Sequence, residues 1–242
     1  MSKYALITGG TKGIGFSVAK CLGKTGYNLL LTYGTDTITA QHSCTLLHDE
    51  CNVDVTALQA DNSDKKAIDV ISHHIENRGI KIDVIVFNAG ITCRDNFEDI
   101  KYEDWDKVFS ANVHFPVFLL QRLINDINDG GSVVFTGSLM GILPHAMSLS
   151  YGVTKAAIHS LVKNLVKFLA PYNIRVNAVA PGFVDTGWQK NKPAGIRESI
   201  ENKISLGRFC NPDELAGVYK LLIENSYLNG EIIIADGGYS YK

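Results

Sequence analysis

The stretch Y-A-L-I-T-G-G-T-K-G-I-G, residues 4–15, joins an apolar segment directly to a turn that holds four glycines. Its apolar part is predicted as a β-strand, and the glycines open the amphipathic helical pattern of residues 13–24. Glycines at such a junction allow a tight turn and let a pyrophosphate approach backbone N–H groups at the helix N-terminus. Gly9, Gly13 and Gly15 depart from the spacing G-x-G-x-x-G, so nucleotide binding is predicted from the position of the turn after the first strand. A turn that is only flexible is the alternative.

Short apolar segments recur between longer helical patterns along the whole chain. The clearest strand predictions cover residues 5–8, 29–32, 55–59, 84–87, 133–137, 176–180 and 232–235. Each is a nearly continuous apolar run, which is typical of strands covered on both faces, as in a parallel sheet. Helical patterns cover residues 13–24, 65–78, 105–123, 151–169 and 213–224, with Asp213 as the start signal of the last. This alternation predicts a single-domain, Rossmann-like doubly wound α/β fold, with a mostly parallel seven-stranded sheet flanked by helices.

Composition and charge limit the classes of partner. The 242 residues are 45% hydrophobic and 20% charged, with a formal net charge of −2, as in an ordinary globular domain. That charge provides no basic field for nucleic acid or an anionic membrane, so neither is expected as a partner. No stretch approaches the ~20 apolar residues of a membrane span, and the first strand begins too early to leave room for a signal peptide.

The cysteines bear on location and on metal binding. Their number is odd, and no C-x-x-C pair occurs among Cys21, Cys44, Cys51, Cys93 and Cys210. This usage favours reduced thiols in a cytoplasmic protein. Cys44 and Cys51 could fall two turns apart on one helix, but no other ligand group is spaced for zinc, so no metal site is expected.

Tyr151 and Lys155 lie four residues apart in S-Y-G-V-T-K, and Ser138 lies thirteen residues before Tyr151. On a helix, side chains at i and i+4 share a face, so both would point into one site. A nearby cation favours phenolate and lowers the pKa of tyrosine from its usual value of about 10. A phenol tuned in this way can give a proton to a carbonyl oxygen or take one from an alcohol. The same spacing also arises by chance on amphipathic helices.

The end of the second strand bears on the choice of dinucleotide. A carboxylate about 20 residues beyond the glycines would bind the adenosine ribose of NAD and repel the 2′-phosphate of NADP. That position holds Tyr33, and Asp36 is predicted to lie past the strand and outside the pocket. Lys12, inside the glycine turn, could meet a 2′-phosphate. The sequence therefore favours NADP(H), and NAD(H) stays open.

A set of motifs in order along nearly the whole chain resembles the short-chain dehydrogenase/reductase family. They are T-G-G-T-K-G-I-G, N-A-G at residues 88–90, Asn112, Ser138, Y-G-V-T-K, N-A-V-A-P-G-F-V-D-T at residues 177–186, and A-D-G-G at residues 235–238. Within the family, the chain is most similar to the 3-oxoacyl-acyl-carrier-protein reductases and related carbonyl reductases. The segment S-L-G-R-F-C-N-P-D-E-L-A, residues 205–216, is similar to theirs.

The resemblance implies roles at a reaction centre. Tyr151 would be the general acid/base, Lys155 would lower its pKa and hold the nicotinamide ribose, and Ser138 would hydrogen-bond the substrate oxygen. Asn112 would steady a water that passes protons toward Lys155, although an asparagine on a helix is by itself more often a surface or helix-bending residue.

The resemblance also implies a set of cofactor-binding residues. They are Thr8, Gly9, Thr11, Lys12, Gly13, Ile14, Gly15, Tyr33, Asp61, Asn62, Asn88, Ala89, Gly90, Tyr151, Lys155, Pro181, Gly182, Val184 and Thr186. Asp61 is alternatively a turn or cap residue, and Pro181 with Gly182 is alternatively a simple turn after a strand.

The chain departs from the family pattern at two places. Phe87 stands where the family often has an asparagine. Asp129 and Tyr172 stand where reductases acting on acyl carrier protein commonly have basic residues, which weakens the carrier as a partner. Compensating positive charge could come from Lys190, Lys192 and Arg197.

The segment 187–204 is polar and long for a connection, which is typical of an active-site lid or, alternatively, of a solvated surface helix. The candidates to line a substrate pocket are Ser138, Met140, Leu143, His145 and Trp188. His145 could equally be a surface histidine. We expect one domain over residues 1–242, with a cofactor-binding part at about 1–137 and a catalytic part at about 138–242.

The leading hypothesis is an NADPH-dependent reductase that converts a ketone, such as a 3-oxoacyl thioester, to a secondary alcohol. The alternatives are a dehydrogenase of a secondary alcohol, such as a sugar or steroid, and a non-catalytic nucleotide sensor. The resemblance also implies self-association through the helical pattern 151–169, which is apolar around much of its circumference. A homotetramer is expected, with a dimer as the alternative.

Overall fold

A seven-stranded parallel sheet forms the centre of the protein. The computed structural model describes residues 2–144 and 147–241. The strands are β1 (Lys3–Ile7), β2 (Tyr27–Tyr33), β3 (Val55–Gln59), β4 (Ile82–Phe87), β5 (Ile127–Thr136), β6 (Arg175–Pro181) and β7 (Ile232–Ala235). Their order is β3-β2-β1-β4-β5-β6-β7, and every pair is parallel. The predicted doubly wound α/β fold is confirmed.

Helices connect and cover these strands. They are α1 (Gly13–Gly23), α2 (Thr37–Cys51), α3 (Lys66–Arg78), α4 (Tyr102–Phe109), α5 (Phe115–Leu123), α6 (Leu149–Leu169), α7 (Ala194–Glu201) and α8 (Pro212–Glu224). Helix α8 begins one residue before the predicted start at Asp213. Asn211 caps it, because the Asn211 side chain accepts from the N–H of Asp213 at 3.0 Å. The Glu214 carboxylate in turn accepts from the backbone N–H of Asn211 at 2.8 Å.

Three elements differ from the pattern-based boundaries. The helix predicted over 105–123 is divided by one turn of π-helix at Ser110–His114. Strand β5 begins at Ile127, before the predicted start, because N-D-G-G at residues 128–131 has the composition of a turn but continues the strand. Helix α2 was not assigned, because it buries only Ala40, Ser43 and Leu47.

Apolar layers lie on both faces of the sheet, which explains why the strands are continuous apolar runs. In β1, Leu6 packs with helices α3, α5 and α6, whereas Ala5 and Ile7 pack with α1, α2 and α8. Successive side chains of a strand point to opposite faces, so a buried parallel strand needs apolar residues at nearly every position. In the part of the chain that the structure describes, no helix has the length and hydropathy to span a bilayer.

The sheet reverses its strand order between β1 and β4, which are hydrogen-bonded neighbours. Connections leave β1 and β4 toward opposite sides of the sheet, so a crevice opens beyond their carboxyl ends. The glycine turn follows β1, and the segment N-A-G at residues 88–90 follows β4. The fold therefore brings two of the sequence motifs together at one crevice.

Candidate active site

The glycine turn is packed too closely for side chains. Gly9 and Gly13 have φ values of 62° and 56°, which L-residues rarely adopt. A Cβ at Gly15 would lie 2.3 Å from the carbonyl oxygen of Gly9 and 2.6 Å from the side-chain nitrogen of Asn88. The turn therefore presents bare backbone at the N-terminus of α1, where N–H groups can bind an anion.

Asn88 fastens the glycine turn to the end of β4. Its Nδ2 donates to the carbonyl oxygens of Thr8 at 3.1 Å and Gly9 at 3.2 Å. In return, the hydroxyl of Thr8 accepts from the backbone N–H groups of Asn88 at 3.0 Å and Ala89 at 3.1 Å. These four bonds fix the two sides of the crevice relative to each other.

Helix α6 carries Tyr151 and Lys155 to the end of β5. Lys155 is buried, and its Nζ donates to the carbonyl oxygen of Thr136 at 2.6 Å and lies 5.3 Å from the centre of the Tyr151 ring. Tyr151 is hydrogen-bonded to Ser138, which follows β5. The backbone N–H of Met140 donates to the Ser138 hydroxyl oxygen at 3.1 Å. The structure thus brings the phenol, the amine and the serine hydroxyl to one place.

Burial dominates the acid–base chemistry of this group. It raises the pKa of Tyr151 to about 12, and the hydrogen bond with Ser138 partly opposes that shift. It also lowers the pKa of Lys155 to about 8. This differs from the expectation that Lys155 lowers the pKa of the phenol, because the cost of removing phenolate from water dominates the pKa of Tyr151. The phenol is consequently a neutral proton donor at physiological pH.

Asn112 lies in the π-helical turn and uses its amide fully. Its Nδ2 donates to the carbonyl oxygen of Ile91 at 3.0 Å and to the hydroxyl of Thr154 at 3.0 Å, and its Oδ1 accepts from the N–H of Ile91 at 2.9 Å. A Cβ at Gly90 would lie 3.1 Å from this Oδ1 and 3.7 Å from Lys155 Nζ. Asn112 therefore joins the loop after β4 to helix α6 beside Lys155.

The predicted adenosine end of the crevice holds several polar groups. Tyr33 is half-buried at the end of β2. Lys12 Nζ lies 4.0 Å from the carboxylate of Asp36, so Asp36 is closer to the glycine turn than expected. Asp61 forms a local turn by accepting from the N–H of Ser63 at 2.8 Å.

The predicted nicotinamide end lies after β6. Gly182 is pressed against Asp236, because a Cβ there would lie 2.8 Å from the Asp236 Cα. Thr186 approaches Gly13, whose added Cβ would lie 3.4 Å from the Thr186 Cγ2. Val184 is buried and forms a β-bridge with Cys210.

The predicted pocket residues fall into two groups. Trp188 packs on Tyr151, with ring centroids 5.7 Å apart, although 47% of Trp188 is exposed. Met140 and Leu143 are half-buried on the segment after Ser138. His145 lies outside the described residues.

The predicted lid contains helix α7, which buries none of its residues. Arg197 ties this helix to the body by two bonds to the carboxylate of Asp185, at 3.0 and 3.1 Å, and by packing 4.3 Å from the ring centre of Phe209. Asp185 lies beside Thr186, so the lid segment is anchored next to the predicted nicotinamide end. Both a lid and a surface helix are compatible with this contact.

Two buried groups beneath the site were not singled out from the sequence. His159 lies one turn beyond Lys155 on α6 and contacts the backbone of Ser138. The Tyr219 hydroxyl on α8 lies 2.7 Å from the hydroxyl of Thr136. The spacing of four residues from Lys155 was a signal for His159, but Tyr219 had no local signal because its partner lies 83 residues away.

The fold and this site define an oxidoreductase built on a dinucleotide-binding sheet. A family model described as enoyl-(acyl carrier protein) reductase matches residues 9–240. The chain belongs to the short-chain dehydrogenase/reductase family.

Three curated relatives are similar over nearly their full length. YmfI of Bacillus subtilis, described as an uncharacterized oxidoreductase, is 35% identical over 99% of this chain and 99% of its own. The 3-oxoacyl-[acyl-carrier-protein] reductase FabG of Aquifex aeolicus is 31% identical over 98% of this chain and 96% of its own. The sorbose reductase Sou1 of Schizosaccharomyces pombe is 33% identical over 98% of this chain and 95% of its own.

Two solved structures have the same fold. A short chain dehydrogenase from Burkholderia cenocepacia in complex with NADP has a TM-score of 0.90 and 27% identity, covering 98% of both chains. The angucycline C-6 ketoreductase LanV with bound NADP has a TM-score of 0.91 and 26% identity, covering 98% of this chain and 95% of its own.

The crevice of this chain fits a dinucleotide on its own residues. The bare glycine turn leaves backbone N–H groups open to a pyrophosphate. Asn62 Oδ1 is buried without a hydrogen-bond partner in the described part of the chain, at the end where adenosine is expected. A buried acceptor without a partner is costly and fits a donor on a bound ligand.

Lys155→Met tests whether the buried amine has a lowered pKa. Between the native pKa near 8 and the ordinary value of 10.5, the unfolded chain binds more protons than the native protein, so stability rises with pH. We expect the unfolding free energy of wild type minus that of Lys155→Met to increase over this range by about 3 kcal/mol at most. Urea unfolding of both proteins measures it, with Lys163→Met, on an exposed residue of the same helix, as the control. A difference that stays flat with pH would contradict the shift.

Proposed function

We propose that this protein is an NADPH-dependent oxidoreductase that reduces a ketone to a secondary alcohol. The observation that carries the proposal is a neutral, half-buried Tyr151 phenol, hydrogen-bonded to Ser138 and next to the amine of Lys155. A ketone oxygen gains negative charge as its carbon is reduced, and two hydroxyl donors at one point stabilise that charge.

Each residue of the site has a part in this reaction. A bound reduced nicotinamide would supply the hydride. Ser138 and Tyr151 would hold the substrate oxygen, and Tyr151 would give it a proton. Lys155 would stabilise the phenolate that is left, because an ammonium near the ring favours the charged phenol. Asn112 would hold the loop after β4 in place beside this amine.

NADP(H) is the proposed cofactor, with NAD(H) as an alternative. Both structural neighbours described above contain NADP. In this chain, Lys12 lies at the glycine turn, and 71% of its side chain is exposed. Its amine is therefore accessible to the 2′-phosphate of a bound cofactor. The residues proposed to hold the cofactor are those of the glycine turn, Asn62, Asn88 and the segment from Pro181 to Thr186.

A 3-oxoacyl thioester is the proposed substrate. The FabG relative reduces such a group on its carrier protein, according to its name. Arg94 lines a groove beside Leu149, the first residue of α6, and the pKa of Lys192 is lowered chiefly by burial and further by Arg94. Within residues 2–144 and 147–241, neither cation makes an ion pair. These two cations favour an anionic group, such as the phosphates of a thioester carrier, against the negative charge of Asp95 and Glu98, which line the same groove as Arg94.

Acyl carrier protein is the less favoured form of that carrier. Arg197 is already paired with Asp185 and Glu201, so it is not free to meet an acidic partner. Asp129 accepts from Asn173 at 3.2 Å and gives that surface a negative charge. These contacts favour a small thioester over a protein-bound one.

The second candidate function is oxidation of a secondary alcohol such as a sugar. The similarity to a sorbose reductase supports a sugar as the substrate class, although the name of that relative gives the direction of reduction. A non-catalytic sensor is less consistent with the site, since binding alone does not require a phenol, an amine and a serine hydroxyl in contact.

We propose one domain, with a cofactor-binding part at about 1–137, a catalytic part at about 138–242 and a lid at 187–204. The five free cysteines favour a cytoplasmic location. We also propose a homotetramer, with a dimer as the alternative. Exposed apolar residues on neighbouring helices support association: Phe118 on α5, and Val153 and Phe168 on α6.

The first test is NADPH oxidation with a neutral 3-oxoacyl thioester, S-acetoacetyl-N-acetylcysteamine. We expect turnover by wild type and a loss of kcat by orders of magnitude in Tyr151→Phe, which keeps the ring but has no proton to give. NADPH affinity, measured by fluorescence, should be nearly unchanged in the variant. Near-normal turnover by Tyr151→Phe would refute the assignment. A sugar alcohol or another secondary alcohol with oxidised cofactor, assayed in parallel, tests the second candidate.

Lys12→Ala tests the cofactor preference. We expect the KM for NADPH to rise about tenfold, because a charge-assisted contact with the 2′-phosphate is lost, while the KM for NADH barely changes. Asp36→Asn is the matched control, since asparagine can still cap α2 through the N–H of Thr39 but no longer neutralises Lys12. It should lower the KM for NADPH. Equal effects of Lys12→Ala on both cofactors would rule out the role.

Arg94→Ala and Lys192→Ala test the anionic carrier. Each should raise the KM for acetoacetyl-CoA about fivefold, the size of a partly exposed ion pair. The KM for the uncharged acetylcysteamine thioester should not change, because it has no phosphate. Lys190→Ala, at an exposed lysine of the same segment, is the control. Equal changes in KM for both thioesters would mean that these cations do not bind the phosphates of the carrier.

A further inference from the structure

His159 is a buried histidine on the same helix face as the predicted catalytic residues. Tyr151, Lys155 and His159 follow each other at intervals of four along α6. Only 7% of His159 is exposed. The mechanism given above does not use this ring.

The ring contacts the backbone of the predicted catalytic serine. Strand β5 ends at Thr136, and the N–H of the next residue, Gly137, donates to the carbonyl oxygen of Val179 at 2.7 Å. The N–H of Ser138 does not bond to the sheet and instead donates to His159 Nε2 at 3.4 Å. A buried N–H needs an acceptor, and the imidazole supplies it where the sheet no longer can.

Two glycines make room for the imidazole. A Cβ at Gly137 would lie 2.2 Å from His159 Nε2, and a Cβ at Gly141 would lie 2.9 Å from Cε1. Gly141 also lies close to the helix backbone, since its Cβ would be 2.7 Å from the N of Ala156. The ring is therefore wedged against both ends of the segment 137–141, with Ser138 inside it.

The environment keeps this ring neutral, as an acceptor must be. Burial lowers the pKa of His159 to about 4, and the charges of Lys155 and Lys163 on the same helix lower it further. The residues packed against the ring from the other side, Gly137 and Gly141, carry no charge. With Nε2 accepting, the proton of the neutral ring resides on Nδ1.

We propose that His159 is a positioning residue for the reaction. It acts through Ser138, by holding the backbone that aims the serine hydroxyl at Tyr151 and at the substrate oxygen. One face of α6 then fixes the position of the residues at the end of β5. Lys155 donates to the Thr136 carbonyl oxygen, His159 accepts from the Ser138 N–H, and Tyr151 is hydrogen-bonded to the Ser138 side chain. The catalytic part of this inference rests on the proposed function, whereas the contact itself does not.

Three variants distinguish the role of the ring as a hydrogen-bond acceptor from its role in filling space. His159→Gln places an amide oxygen at about the distance of Nε2 and can still accept. His159→Asn is equally polar but has its oxygen at the position of Nδ1, too short to reach Ser138. His159→Leu fills the space without an acceptor. Each is measured for kcat and KM with the neutral 3-oxoacyl thioester, for NADPH affinity by fluorescence, and for amide exchange of Ser138 by NMR on serine-labelled protein.

We expect His159→Leu and His159→Asn to lower kcat about tenfold or more, because the serine hydroxyl is displaced, with NADPH affinity unchanged. His159→Gln should retain most of kcat. Exchange of the Ser138 amide should be slow in wild type and His159→Gln, and fast in the other two. If His159→Leu does not fold, the comparison of glutamine with asparagine still decides.

Two results would overturn the proposal. One is that Gln and Asn variants have equal kcat. The other is that Ser138 exchanges equally slowly in all the folded variants, since the N–H then needs no acceptor from residue 159. If wild type reduces no ketone at all, the proposed function fails, whereas the exchange data still accept or reject the contact.

Discussion

The buried hydrogen bond from Lys155 Nζ to the carbonyl oxygen of Thr136 ties helix α6 to the end of strand β5, together with the contacts of His159 and Tyr151 with Ser138. Placing an amine in this position is unfavourable by itself, because burial opposes its charge. This contact lies where the sheet ends and backbone groups lose their strand partners. The amine and the carbonyl oxygen of Thr136 are hydrogen-bonded to each other there, and Tyr151, on the same helix face as Lys155, lies next to Ser138.

The other half of the crevice depends on backbone packed against backbone. Gly15 touches the carbonyl of Gly9, and the Asn88 amide closes the gap between β1 and β4 with bonds to Thr8 and Gly9. Asn112 then connects the loop after β4 to α6. The side-chain amides of Asn88 and Asn112 thus connect the crevice to the proposed reaction centre by hydrogen bonds to backbone.

The sequence predicted the sheet well because two covered faces require continuous apolar runs, and such runs are visible without any partner. It missed α2 because that helix is held partly by a polar contact, from the Ser43 hydroxyl to the carbonyl of Thr11, which no hydrophobic period reveals. The π-helical turn around Asn112 was invisible because a period of 3.6 residues continues through it. At the site, spacing predicted that Tyr151 and Lys155 share a helix face. It did not predict which effect controls their pKa values, since burial depends on the rest of the fold.

The two opposite pKa shifts have a common cause, and this couples the site to its ligands. Burial disfavours the charged forms of both groups, so it raises the pKa of Tyr151 above its ordinary value and lowers the pKa of Lys155 below its own. Any bound group that accepts hydrogen bonds from Lys155 stabilises the ammonium and raises its pKa. A fully charged Lys155 close to the ring then stabilises phenolate and lowers the pKa of Tyr151. By linkage, a ligand that accepts hydrogen bonds from Lys155 would also change the proton affinity of the Tyr151 phenol.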